Sequence, residues 1–290
     1  MTGTHSASST PLIIIPVHDE IVALERTSKV LLEGLPEGAR IVYVCNGCSD
    51  GSAAFLRALG DRRVTVLERS QPSKSLALRA GEAACALFPR FYVDADVEVS
   101  GASIAAMCEI LETHPGVDLV SPRLTFDQSR SSPLARRANA VWLNLPHGEK
   151  ASFQQVMGVS RRGRTNWGVM PQVTADDSFI AAQIAPARQR KIDTLSARVR
   201  PPASLASLFG VRLRILKGLR ELETLGVARP RAPGQRQALV RALLDPEHCL
   251  GAITYVGVTV AARIAFACGL GRERWYRDTG SRQPRGSEPA

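Results

Sequence analysis

Aromatic residues are scarce in this chain of 290 residues, since Phe, Trp and Tyr together make up only 5%. Proteins that bind single-stranded nucleic acid stack bases on aromatic rings, and that class is therefore disfavoured. The net charge of +10 nevertheless favours anionic partners, such as nucleotides or an acidic membrane surface.

The chain also has few cysteines, and its first ten residues are polar. Its six cysteines include one Cys-x-x-Cys pair, Cys45 and Cys48, and no second pair follows. A zinc site is therefore disfavoured, and free thiols in a reducing compartment are expected. Residues 1–10 are polar and carry neither a basic start nor an apolar core, so we predict a flexible N-terminus, no secretory signal and a cytoplasmic protein.

A long uninterrupted apolar run is missing as well. The most apolar segment, residues 250–270, contains Arg263 after about a dozen residues, which predicts a stretch too short to span a membrane. It is expected to form a buried or partly interfacial helix. The flanking arginines keep open a peripheral contact with anionic lipid at the inner face of the membrane.

Apolar runs without alternation recur through the first half and are separated by helical patterns. Such runs are typical of strands that are buried on both faces. The predicted strands cover residues 12–17, 41–45, 64–67, 91–94 and 117–121. This order predicts an α/β fold: a Rossmann-like, mostly parallel sheet flanked by helices.

The second half is less regular. It is predicted to contain a strand at 152–159, helices from residue 176 and at 205–225 and 235–244, and a polar tail. The predicted domains are a main domain at 11–225, divided after residue 121, a helical C-terminal extension (235–270) and a tail (271–290). Oligomeric state cannot be predicted from these patterns.

Asp94-Ala95-Asp96 lies at the carboxyl end of the fourth predicted strand. Two carboxylates so close together repel each other unless a cation lies between them, and hard divalent ions such as Mg²⁺ or Mn²⁺ prefer oxygen ligands. On a strand, residues i and i+2 share one face, so both acids are expected to point at the same ion. Residues 16–20 and 46–51 are expected at the same sheet edge, where α/β proteins bind ligands.

Taken together, five segments resemble family 2 glycosyltransferases with the GT-A fold. Residues 14–20 are similar to the family's strand ending in Pro-x-x-Asn-Glu, and residues 44–52 to its Val-Asp-Asp-Gly-Ser-x-Asp-Gly-Thr turn. Residues 74–81 are similar to its Lys-x-x-Ala-Leu-Asn-x-Gly helix. Asp94-Ala95-Asp96 takes the place of its metal motif, and Asp176-Asp177 that of its later acidic pair.

The resemblance implies an inverting sugar transferase that uses a nucleotide-activated donor, most simply a UDP-sugar, an unidentified hydroxyl acceptor and Mg²⁺ or Mn²⁺. It also implies that residues 11–225 are the GT-A transferase domain, with a nucleotide-binding part (11–121) and an acceptor part (122–225). Asp96 would bind the metal, with Asp94 on the metal or the ribose. Asp177 would be the general base, with Asp176 beside it, although the order could be reversed. The implied donor-binding residues are Pro16, Val17, His18, Glu20, Asn46, Lys74 and Asp94.

Each of these assignments has a plainer alternative. Glu20 could be only a helix-start acid, Lys74 a solvated lysine, and the later acid pair two helix-capping residues. Asn46 replaces an Asp that faces uracil in the family, which leaves the nucleotide base undecided. Basic residues at 161–164 and 212–217 could hold phosphates or form solvated faces. A nucleotide-sugar-binding or membrane-surface adaptor without turnover is the alternative function.

A different enzyme class is disfavoured by a missing feature. Nucleotidyl transfer on a similar sheet would require a glycine-rich phosphate loop after the first strand. Residues 16–20 contain no glycine.

Overall fold

The computed structural model describes residues 10–145, 153–227 and 234–271. These residues form two compact units. Unit 1 comprises the described residues of 1–125, 153–172 and 183–199, and unit 2 those of 126–152, 173–182 and 200–290. The predicted functional boundary after residue 121 stays a prediction.

Unit 1 contains a seven-stranded sheet with the strand order β3-β2-β1-β4-β6-β5-β7 within the described residues. The strands are β1 (Leu12–Val17), β2 (Arg40–Asn46), β3 (Val64–Arg69), β4 (Arg90–Val93), β5 (Leu119–Phe126), β6 (Val156–Val159) and β7 (Gln189–Val199). β1 pairs in parallel with β2 and β4, and β2 with β3. The predicted mixed α/β fold with a mostly parallel sheet is confirmed.

Helices follow the first four strands of unit 1, as the helical patterns predict. They are α1 (Ile21–Leu32), α2 (Ser52–Ala58), α3 (Lys74–Ala84) and α4 (Gly101–Thr113). A single helical turn that the sequence does not predict, α6 (Arg161–Arg164), follows β6. Serine caps several of them: Ser73 accepts the Leu76 N–H at the start of α3, and Ser100 accepts the Ser103 N–H at the start of α4. These hydroxyls satisfy backbone donors that have no partner inside the helix.

The sequence does not predict two features of the sheet. β5 does not lie beside β4, because β6 is inserted between them and runs antiparallel to both. The strand β7 was not predicted, since its sequence, Gln189 to Val199, has few apolar residues and a mostly half-exposed or exposed pattern. Periodicity predicts strands that are buried on both faces better than such an outlying strand.

Unit 2 is built from helices. They are α5 (Pro133–Leu143), α7 (Asp176–Ala182), α8 (Leu205–Thr224), α9 (Gln235–Leu244) and α10 (Cys249–Ala267). An apolar cluster joins α5, α8 and α10; its buried members are Ala138, Val141, Leu145, Leu208, Ala252 and Tyr255.

The predicted helix is present as α10, but the apolar segment is not too short to span a membrane, as the sequence prediction from Arg263 had it. The helix runs unbroken for 19 residues with a mean hydropathy of 1.7 over its most apolar window. Among the described residues it is one helix that is long and apolar enough to cross a membrane by length and composition alone. A core helix of a soluble protein passes the same test, but only 22% of this window is buried.

Candidate active site

Three polar segments follow neighbouring strands at one edge of the sheet. β1 lies between β2 and β4 and is parallel to both, so residues 18–20, 47–51 and 94–97 all leave the sheet at its carboxyl edge. This is the edge at which open α/β sheets bind ligands. The predicted convergence of these segments is therefore present in unit 1.

The loops after β1 and β2 are bound together by two aspartates. Asp19 Oδ1 accepts the Ser49 N–H at 2.5 Å, and Asp50 Oδ2 accepts the Ile21 N–H at 3.0 Å. Asp19 has φ of +47°, a left-handed conformation that Asp adopts more readily than most residues. The sequence interpretation gave neither residue a role, although an Asp in a Gly- and Ser-rich turn commonly accepts backbone N–H groups.

Glu20 lies at the N-cap position of α1 but does not act as a side-chain cap. Its carboxylate makes no capping hydrogen bond, its side chain is buried, and its backbone N–H donates to Ser52 Oγ at 3.0 Å. Glu20 therefore makes no side-chain cap, although its carboxylate still lies at the positive end of α1.

Asn46 is buried, and its side chain bonds to backbone groups of three segments. Its Nδ2 donates to Val17 O at 2.6 Å and to Val44 O at 3.3 Å, while its Oδ1 accepts the Ser73 N–H at 2.9 Å. The amide thus joins β1 and β2 to the start of α3. Contact with a nucleotide base would have to compete with these bonds.

The other donor-binding residues implied at the end of the first strand, Pro16, Val17 and His18, differ in accessibility. The side chains of Pro16 and Val17 are buried, and Val17 O accepts the Asn46 amide. His18 is half-exposed, and its Nδ1 lies 2.6 Å from Asn46 O. Because a carbonyl can only accept, Nδ1 carries the proton, and Nε2 is the nitrogen left to meet a ligand.

Cys48 adds a reactive group to this loop. Its Sγ accepts the Asp19 N–H and donates to Val17 O, each at 3.4 Å. A hydrogen bond from Cys45 and the Asp19 N–H lower the pKa of Cys48 to about 7, while the same bond and burial raise the pKa of Cys45. The accessible thiol of the pair is therefore the more easily ionised.

Asp19, Cys48 and Asp50 also offer three potential metal ligands within 4.8 Å of one another. Both carboxylates already accept backbone N–H groups of the adjoining loop. A thiolate favours softer metals than two carboxylates do. The contacts identify this group as the structural link between the two loops.

Asp94 and Asp96 lie in a turn and not on the strand, which corrects the reason given from sequence for their alignment. β4 ends at Val93, and the Val97 N–H donates to Asp94 O at 3.2 Å. Both acids are nevertheless half-exposed, whereas Ala95 and Val97 are buried. The two carboxylates therefore leave the protein interior together.

Lys74, the first residue of α3, forms an ion pair with the first of these acids: its Nζ lies 2.7 Å from Asp94 Oδ1. A cation thus already partly neutralises the acid couplet. Two carboxylates suit a hard divalent ion, because Mg²⁺ is commonly held by one or two carboxylates, with phosphate and water oxygens completing its shell. The donor set therefore fits Mg²⁺ or Mn²⁺ together with a diphosphate.

The basic turn α6 is occupied by structural ion pairs. Arg164 binds Glu82 through Nε at 2.8 Å and Nη2 at 2.9 Å, and Arg162 binds the buried Asp118 at 2.9 Å. Arg161 lies over the ring of Phe88. These contacts favour a supporting role for the turn over a phosphate-binding role.

In unit 2, the acid pair opens α7. Asp176 is buried and Asp177 half-exposed, and Asp177 Oδ1 accepts the neighbouring Ser178 N–H at 2.6 Å. The cap position itself is held by Ala175, whose carbonyl accepts the Phe179 N–H. The capping alternative thus explains one hydrogen bond of Asp177. Asp177 is also the more accessible residue of the pair.

The helix α8 fixes the segment before α7. Glu221 Oε2 accepts the Thr174 N–H at 2.5 Å, and Glu221 Oε1 accepts the Thr174 hydroxyl at 3.1 Å. Gly218 faces Ala175 so closely that a Cβ there would lie 2.8 Å from the Ala175 Cβ. The sequence interpretation identified neither contact, since both join residues more than forty positions apart.

Arg212, on α8, is buried and does not belong to a solvated basic face. Its guanidinium lies 4.9 Å from the ring centroid of Trp142 and 4.6 Å from that of Tyr255. Burial lowers the pKa of Arg212. The arginine is therefore part of the packing of unit 2.

Solved structures with this fold bind nucleotide sugars. The mannosyltransferase PcManGT from Pyrobaculum calidifontis, in complex with GDP-Man and Mn²⁺, has a TM-score of 0.59 and 18% identity, with 91% of this chain and 80% of that chain covered. Glucosyl-3-phosphoglycerate synthase from Mycobacterium tuberculosis, with Mn²⁺, UDP-Glc and glycerol 3-phosphate, has a TM-score of 0.54 and 17% identity, with 77% and 82% covered. No curated protein matches the chain.

These likenesses show the GT-A fold. The model of Glycosyl transferase family 2 matches residues 12–174, more than half of the chain. The protein therefore belongs to Glycosyl transferase family 2 and is a glycosyltransferase.

Proposed function

We propose that the protein transfers a sugar from a nucleotide-activated donor, a UDP-sugar in the first instance, to an acceptor hydroxyl with inversion at the anomeric carbon. The observation that carries the proposal is the ion pair of Lys74 and Asp94, beside Asp96, at the carboxyl edge of the sheet. An acid couplet and a lysine at one place suit a divalent metal and a diphosphate.

In this proposal Asp96 holds the metal, with Asp94 on the metal or the ribose. The metal, when bound, neutralises charge that develops on the departing nucleoside diphosphate. Lys74 exchanges Asp94 for a diphosphate oxygen in the donor complex. His18 and Glu20 contact the nucleoside, while Pro16, Val17 and Asn46 support that wall from behind.

Asp177 is proposed as the general base that takes the proton of the acceptor hydroxyl as its oxygen attacks. The half-exposed position of Asp177 supports this choice over the buried Asp176, which would orient its neighbour. A single displacement of this kind needs no covalent nucleophile. We further propose a cytoplasmic protein, and a membrane contact is argued below.

The test is a thermal-shift panel of UDP, GDP and their sugar conjugates with and without Mn²⁺, because a ligand that binds the native state raises Tm. UDP with Mn²⁺ should stabilise the wild type, and Asp96→Ala should abolish the metal-dependent part. Asp177→Asn should keep the donor shift and lose transfer by at least about a hundredfold. Glu109→Ala, an exposed acid on α4, is the control and should behave as wild type.

Three outcomes would contradict parts of the proposal. A Tm shift with GDP but not with UDP would change the nucleotide base proposed for the donor from uracil to guanine. The panel includes both because the solved structures carry either nucleotide. Normal transfer by Asp177→Asn would remove the base assignment. Binding without any transfer or donor hydrolysis would favour the adaptor function.

A further inference from the structure

The outward side of α10 is apolar along its whole length. Leu250, Ile253, Val260 and Ile264 are exposed, the two isoleucines by 60% and 61%. Their spacings of three, seven and four residues place them on one face of the helix, with Gly257 between them. We call these five residues the outer stripe; it contains no charged residue.

The opposite side of α10 is fixed to unit 2. Gly251 lies against α5, where a Cβ would come within 2.5 Å of the Arg137 carbonyl oxygen, and Tyr255 packs under Arg212. A helix held along one side by soluble helices cannot cross a bilayer alone without losing these contacts. It can, however, lie in the plane of a membrane interface with its other side inserted.

The helix α9, which packs against α10, also has exposed apolar residues. They are Val240, Leu243 and Leu244, while Leu239 and Ala242 pack towards the apolar cluster. Soluble proteins rarely leave so many large apolar side chains exposed on two neighbouring helices without a partner. The outer stripe and these three residues of α9 are the apolar face.

The sequence charge of the C-terminal part of the chain favours an anionic partner. Residues 228–290 contain ten arginines and five acids, so their net charge is 10 − 5 = +5, half of the +10 of the chain. Arg236, Arg241 and Arg263 are exposed on α9 and α10 themselves. Two copies of this segment would repel each other, whereas acidic lipid headgroups would attract it.

We propose that the apolar face docks on a lipid bilayer containing anionic lipids, with α10 lying in the interface plane. The outer stripe enters the boundary between headgroups and acyl chains, and the arginines contact lipid phosphates. This surface shares no residue with those proposed for transfer, and the inference does not depend on that proposal.

The test is flotation of the full chain with vesicles of phosphatidylcholine alone and of phosphatidylcholine with about 30% phosphatidylglycerol. Wild type should float with the anionic vesicles, and 0.5 M NaCl should weaken its partitioning. The double variant Ile253→Ser/Ile264→Ser should partition about tenfold less, since two apolar side chains no longer enter the membrane. Val169→Ser is the control: it removes an apolar residue of unit 1 that is 74% exposed, and its partitioning should be unchanged.

A second variant separates charge from apolar contact. Arg236→Gln/Arg241→Gln/Arg263→Gln should bind anionic vesicles several-fold more weakly and should respond less to salt. Circular dichroism melting of each variant verifies folding.

Absence of vesicle binding by the wild type would overturn the proposal, as would equal binding by Ile253→Ser/Ile264→Ser. Equal binding to neutral vesicles would overturn the choice of anionic lipid. The wild type could instead form a concentration-dependent dimer, without vesicle binding, that is lost in Ile253→Ser/Ile264→Ser. That result would assign the face to a second copy of this chain.

Discussion

Lys74 carries two opposed roles at the level of single residues. It neutralises Asp94 in the structure, and in the proposed donor complex it would bind a diphosphate oxygen. Lys74 would compete with the metal for Asp94 when no nucleotide is bound, and would bind the same diphosphate as the metal when the donor is bound. It should therefore lower the affinity for the metal alone and raise the affinity for the nucleotide. This opposition makes the lysine testable apart from any general destabilisation.

Lys74→Met should therefore raise the affinity for Mn²⁺ in the absence of nucleotide by roughly threefold, since a partly exposed ion pair is worth at most about 1 kcal/mol. It should lower the affinity for UDP with Mn²⁺ by about tenfold, because a charge-assisted hydrogen bond is lost. Isothermal titration calorimetry measures both. Lys29→Met, at an exposed position on α1, should change neither; a parallel fall in both affinities for Lys74→Met would contradict the two roles.

Asn46 shows what a motif predicts at this scale and what it does not. The resemblance to the family turn predicted its position at the end of β2, and the strand indeed ends there. Its bonds to Val17 O and to the Ser73 N–H depend on segments 29 and 27 residues away. A local pattern contains no information about such partners, so it could not show that the amide is already engaged.

At the scale of elements, the sequence predicted which segments form helices and strands better than it predicted which strands pair. The helix predicted at 235–244 is α9 with the same bounds, and α8 differs from its predicted range by one residue at its end. In contrast, β6 lies between β4 and β5, and this order depends on contacts between strands that are distant in sequence. Hydrophobic periodicity does not specify which strand pairs with which. The turn at Asp94 likewise depends on the Val97 N–H and not on strand alternation.

The close packing of α8 on the segment before α7 leads to a prediction about an element. Gly218→Ala would place the new Cβ 2.8 Å from the Ala175 Cβ. Ordinary van der Waals contact begins at 3.4 Å, so the two atoms would be about 0.6 Å too close. The start of α7 must then move, and with it Asp177. We expect kcat to fall about tenfold or more, because small displacements of Asp177, the proposed general base, would be costly, while KM for the donor stays within about twofold.

The matched control is Gly257→Ala in α10, where a Cβ would meet nothing within 4 Å. That substitution should leave kcat unchanged and should stabilise the protein slightly, by about 0.5–1 kcal/mol, because alanine favours a helix interior. If Gly218→Ala and Gly257→Ala have the same kinetics, α8 does not position the acid pair.

For the whole molecule, the net charge of +10 predicts the kinetics of donor capture. A positive protein attracts a diphosphate over several ångströms, and salt screens this attraction because the Debye length falls from about 14 Å at 0.05 M to about 4 Å at 0.5 M. Raising NaCl over this range should lower the association rate constant for a fluorescent UDP analogue by about three- to tenfold. The dissociation rate constant should change much less, since it reflects close contacts such as those of Lys74. Stopped-flow fluorescence with Mn²⁺ at saturation resolves the two constants; a salt effect confined to dissociation would show that local contacts, and not the charge of the whole chain, govern capture.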